Sequence, residues 1–127
     1  NRSVYRPGKQ EYSPGNRYIG SVPLIDLPGD LGHGGIRALN PPTGERIWEY
    51  KLQTKPWAGV LCCAGQLVFG GSDEGYFFAL DAETGKELWR QNLGGIIRAN
   101  PVTYLADGKQ LVSIAAGNAI FTFSLSR

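Results

Sequence analysis

The phrase "ALNPPTGERIW" at residues 38–48 returns at residues 79–89 as "ALDAETGKELW". Aligned in full, "GGIRALNPPTGERIWEYKL" from Gly34 to Leu52 lies against "GYFFALDAETGKELWRQNL" from Gly75 to Leu93. Ala38 matches Ala79, Leu39 matches Leu80, Asn40 matches Asp81, Thr43-Gly44 matches Thr84-Gly85, and Trp48 matches Trp89. A period of about 40 residues restricts the chain to a propeller or a solenoid. Each phrase reads as a hairpin. An apolar run leads into Asn or Asp, which caps a bend, and a Thr-Gly turn supplies a positive φ. A second run, rich in aromatic and branched residues as half-buried strands are, ends the phrase.

The remainder of the period also recurs. "WAGVLCCAGQLVFGGSDEG" from Trp57 to Gly75 parallels "ANPVTYLADGKQLVSIAAG" from Ala99 to Gly117, with Gln66-Leu67-Val68 opposite Gln110-Leu111-Val112. One unit is thus four short antiparallel strands, the size of a propeller blade. The sequence predicts an all-β chain that holds the tail of one blade, a complete blade and most of a third. That is roughly two and a half blades and ten strands, where a closed propeller needs about four to eight blades. Such a chain cannot close alone. Its open sheet edges call for other blades or for self-association.

Residues 1–33 break the pattern. They hold four Pro, at positions 7, 14, 23 and 28, and no clear period. They read as a Pro/Gly-rich loop or extended segment, with Tyr5, Tyr12, Tyr18 and Ile19 able to pack. Residues 34–127 form the propeller part. The sequence contains no Met and opens on Asn1, so it reads as lacking its native start, and a missing secretory leader excludes nothing about export. A net charge of +2 with no Lys or Arg run gives no nucleic-acid surface, and no apolar stretch reaches bilayer length.

Few residues offer chemistry. Cys62 and Cys63 are adjacent, which permits only a strained vicinal disulfide and is too few for structural zinc. They are expected as reduced thiols on a strand, one of them buried. His33, the one histidine, lies in "GDLGHGG" without a visible nucleophile and reads as a solvated loop residue. Asp73-Glu74 and Asp81-Glu83 read as turn carboxylates. "GGSDEG" lacks the Lys-Ser/Thr of a phosphate loop.

The phrase Ala-x-Asp-x-x-Thr-Gly-Lys-x-x-Trp is a tryptophan-docking repeat, and "ALDAETGKELW" meets it at every fixed position. With "WAGVLCCAGQLVFGG" and "GGIIRANPVTYLADGKQLVSIAAG", it resembles the last propeller blades of the PQQ-dependent (quinoprotein) alcohol and glucose dehydrogenases. The resemblance covers about residues 34–125 and is strongest over 57–117. It implies that Trp48 and Trp89 are structural, each stacking between blades. It implies that Trp57, outside the docking phrase and at the start of an inner strand, reaches the cofactor. Asn118 is a second cofactor-binding candidate, although the insertion that neighbours this point in larger relatives is missing here.

The resemblance further implies PQQ and Ca²⁺ in an intact parent, an alcohol or sugar substrate, a periplasmic location, and the remaining blades as partners. The family's calcium ligands and catalytic Asp come from blades that do not match this sequence. The chain alone is therefore expected to be inactive, with no catalytic and no metal-binding residues of its own. The alternative is a non-enzymatic scaffold similar to outer-membrane assembly lipoproteins, which use the same repeat.

Overall fold

The computed structural model describes residues 4–7, 11–16, 18, 21–24 and 33–124, and none of these is helical. It divides into two units, Asn1–Gly32 and His33–Arg127. In the first, β1 (Val4–Pro7) and β2 (Ser21–Leu24) pair antiparallel, with Val4 opposite Leu24 and Pro7 opposite Ser21. Tyr12 and Tyr18 meet edge to face, with ring centroids 6.3 Å apart. Ile19 lies outside the described residues.

The second unit is built as the repeat predicts. β3 (Gly34–Leu39) and β4 (Arg46–Leu52) form a two-stranded sheet, the tail of one blade. β5 (Leu61–Cys63), β6 (Leu67–Gly71), β7 (Tyr76–Asp81) and β8 (Glu87–Asn92) form a complete four-stranded meander. β9 (Val102–Ala106), β10 (Lys109–Ala116) and β11 (Ala119–Ser124) form three strands of a third blade. Every pairing is antiparallel.

The two docking phrases share one backbone solution. Gly44 N–H donates to the Asn40 carbonyl at 2.7 Å, and Gly85 N–H to the Asp81 carbonyl at 2.9 Å. Gly44 and Gly85 have φ of +70° and +71°, a conformation that costs an L residue its Cβ contact with the following carbonyl. The pairing slips at the same place in both hairpins, between Ala38 and Leu39 and between Ala79 and Leu80. Only the second turn adds a carboxylate cap. Asp81 Oδ1 accepts from Glu83 N–H, Thr84 N–H and the Thr84 hydroxyl at 2.7–3.1 Å. These bonds, that of the Thr84 side chain foremost, hold the Asp81 carboxyl below the usual aspartate range.

The core lies on both faces of the middle blade. Alternation along β7 sends the consecutive, fully buried Phe77 and Phe78 to opposite sides. Phe78 joins Val68 and Leu80 against Ile36, Trp48, Tyr50 and Leu52 of the first blade. Phe77 joins Ile97, Ile114 and Ala116, with Phe69, Phe121 and Phe123 around them. Burying each ring contributes about 2–3 kcal/mol.

Trp48 shows what the docking Trp does. Its indole N–H donates to the Ala82 carbonyl of the next blade at 2.9 Å, and its ring lies on Gly85 so closely that a Cβ there would sit 2.6 Å from it. Trp89 is placed alike but less covered, at 38% exposed. It meets Phe77 and Phe123 edge-on, at 5.8 and 5.2 Å between centroids. The reason is that no Thr-Gly turn of the next blade faces it among the described residues. A groove of about 640 Å³, lined by Phe69, Trp89, Val112 and Phe123, lies there.

Candidate functional site

Trp57 lies four residues ahead of β5, in the segment that connects the first blade to the second, rather than on the strand itself. Trp57 is 58% exposed, and Lys55 Nζ sits 5.0 Å from the ring centroid, a cation–π approach. The chain on either side is fixed. Gly34 packs beneath the segment so closely that a Cβ there would fall 2.0 Å from the Thr54 carbonyl and 2.6 Å from Pro56. Ala58 packs against the Phe77–Ile97 core. Gly59 N–H donates to Asn100 Oδ1 at 2.8 Å.

Asn100 belongs to the loop between β8 and β9, which closes over the same side. Ile97 is fully buried, its N–H donates to the Ser72 carbonyl at 3.3 Å, and Gly117 N–H donates to the Ile96 carbonyl at 2.9 Å. Ile96, Arg98, Ala99, Ala115 and Gly117 line an open hollow of about 340 Å³. Asn118 is exposed in the two-residue turn between β10 and β11, next to Gly117 at φ +57°. The Gly117 end of this turn reaches the hollow. The sequence singled out Trp57 and Asn118, and the structure adds the loop that carries Arg98 and Asn100 between blades two and three.

The Ser72–Gly75 turn completes the surroundings. Ser72 Oγ, Asp73 Oδ1 and Glu74 Oε1 are buried and make no bond of full hydrogen-bond geometry among the described residues. Asp73 Oδ1 has Arg98 Nε at 3.9 Å. Burial works to raise the Glu74 carboxyl, and the looser approach of Ser72 and Thr54 outweighs it, so the group lies below the ordinary glutamate range. Among the described residues, no three or more His, Cys, Asp or Glu side chains gather as metal ligands. Cys62 and Cys63 are free thiols on β5. Neither is buried, because β5 is a three-residue strand at the edge of its sheet, which corrects the expectation of one buried thiol. His33 is exposed ahead of β3.

An exposed flat ring with a cation on it suits a planar anionic aromatic ligand.

A protein-family model described as "Outer membrane protein assembly factor BamB" (PQQ_2) matches residues 32–126. The chain is 39% identical over 123 residues to the quinoprotein alcohol dehydrogenase PedE of Pseudomonas putida, an alignment covering 89% of this chain and 20% of that protein. Among solved structures, a europium-containing methanol dehydrogenase superposes with a TM-score of 0.73 at 35% identity, over 87% of this chain and 20% of that one. BamB from Moraxella catarrhalis superposes less well, with a TM-score of 0.51 at 25% identity, over 79% of this chain and 34% of that one. The chain thus spans about a fifth of the quinoprotein relatives it matches.

Proposed function

We propose, since this chain belongs to the quinoprotein dehydrogenase family, that it forms one wall of a pyrroloquinoline quinone site in a larger propeller that oxidises alcohols or sugars. The observation that carries this reading is Trp57, an exposed ring held on a fixed segment with a cation beside it. Pyrroloquinoline quinone is a flat, carboxylate-bearing o-quinone. When bound, it supplies the two-electron acceptor for the alcohol carbon. The chain's own residues do the rest of what is asked of this wall. Trp57 covers a face of the ligand and excludes water, its N–H donates to a carboxylate, and Lys55 and Arg98 favour an anion. Asn118 is the weaker contact, an exposed turn amide at the edge of the same hollow.

A metal in the intact protein, Ca²⁺ or a lanthanide of the kind named for the europium-containing relative, would take its oxygen ligands from other blades. The chain by itself is not expected to turn over substrate. The other blades are its partners, and the periplasm is the compartment that the family resemblance implies.

The test is titration of the purified chain with the quinone and Ca²⁺, or Eu³⁺, following tryptophan fluorescence, beside Trp57→Ala. Saturable quenching that the variant loses supports the reading. A folded chain that shows no quenching at any metal sinks the claim that this wall binds alone. The scaffold alternative is favoured by the description of the matching family model. It predicts no quenching, and capture of a protein partner on the same surface regardless of the residue at 57.

A further inference from the structure

We infer that Asn100 is a positioning residue for Trp57, acting across one full period of the repeat. This rests on the reading of Trp57 as the ligand-facing ring. The Trp57 segment is pinned on the first-blade side by Gly34, which admits no side chain beneath Thr54–Pro56. Its other end has no strand partner until Leu61, where β5 begins. Among the described residues, the polar bond that holds the chain between Trp57 and that strand is Gly59 N–H to Asn100 Oδ1, 2.8 Å long.

The contact is built from both sides. A Cβ on Gly59 would fall 2.1 Å from Asn100 Oδ1 and 2.6 Å from its Cγ, so glycine is needed for the amide to approach. Asn100 precedes the buried Pro101, and a residue before proline is confined to extended backbone, which fixes the direction of its Cβ. Two residues earlier, Arg98 lines the hollow. The same loop therefore holds the Trp57 segment at Gly59 and carries Arg98.

The experiment uses the full chain carrying 5-fluorotryptophan and ¹⁹F NMR, with the Trp57 line assigned by its loss in Trp57→Phe. Asn100→Ala is expected to shift or broaden the Trp57 line and leave those of Trp48 and Trp89 in place. Asn100→Asp keeps the acceptor oxygen and is expected to keep the wild-type line. Gly59→Ala should reproduce the alanine phenotype from the other side. Quinone affinity read by fluorescence quenching should weaken about two- to tenfold in Asn100→Ala, the worth of one hydrogen bond.

An unmoved Trp57 line in Asn100→Ala overturns the inference. So does equal movement of all three lines in both Asn100 variants, which would make Asn100 a residue of the fold at large. A moved line with unchanged quinone affinity leaves the positioning intact and removes the ligand from Trp57.

Discussion

Gly85 and Gly44 hold the same place in two copies of one turn, with the same φ, yet only Gly85 lies under a tryptophan. Alanine at Gly44 meets nothing within 4 Å and pays backbone strain alone, about 1 kcal/mol. Alanine at Gly85 adds a collision with the Trp48 ring, for a total of about 2–4 kcal/mol. Urea unfolding of the two variants separates strain from docking, and equal losses would mean that the indole moves aside freely. Tyr50 makes a second contact between the same two blades, its hydroxyl donating to Glu87 Oε2. Burial first, and then the Glu87 bond and charge, push its pKa up to about 12. A phenol raised in the folded state stabilises fully below the unfolded value near 10 and loses that contribution as pH rises from about 10 to 12. Stability measured across that window should fall more steeply for the wild type than for Tyr50→Phe. The tyrosinate band near 295 nm should show one late-titrating group.

At the scale of the strand and the blade, most of the fold was legible, and the reasons lie in particular residues. Thr-Gly at 43–44 and 84–85 sets both hairpins, because few residue pairs give that turn, and the repeated bulge follows from it. What a local pattern could not carry is contact between periods. Ile97 sits in a loop without alternation and is fully buried because a neighbouring blade covers it. Asn100 carries no local signal in the sequence, and its contact with Gly59 spans one period of the repeat. Trp57 was singled out by family likeness and not by periodicity, and it lies ahead of β5 rather than at the start of the strand. The sandwiching of β7 makes a further prediction. Phe77→Ala and Phe78→Ala should each cost about 3–5 kcal/mol despite facing different blades, as judged by thermal or urea unfolding. Leu88→Ala, at an exposed position on β8, should change stability by less than about 1 kcal/mol.

For the molecule as a whole, the sheets end in strands with unpaired edges. Among the described residues, β11 has a partner on one side only, as does β3. β11 presents Ile120 at 78% exposed, and the apolar groove beside Trp89 lies open. Exposed strand edges of this kind recruit further strands unless charge blocks them. The expected outcome in sedimentation velocity is a weight-average coefficient that rises with concentration and falls back for Ile120→Lys. A constant monomer value over a hundredfold range would show that these edges are protected. The two consecutive phenylalanines of β7 bear on how such a piece comes apart. An amide of β7 can meet solvent only when the contacts on both faces have opened, whereas β9 and β11 need to lose one. Hydrogen exchange should therefore run inward from the two flanks. The last amides to exchange should be those of β6 and β7, all at one shared free energy, so that the middle blade behaves as a single cooperative unit and its neighbours as fraying ends.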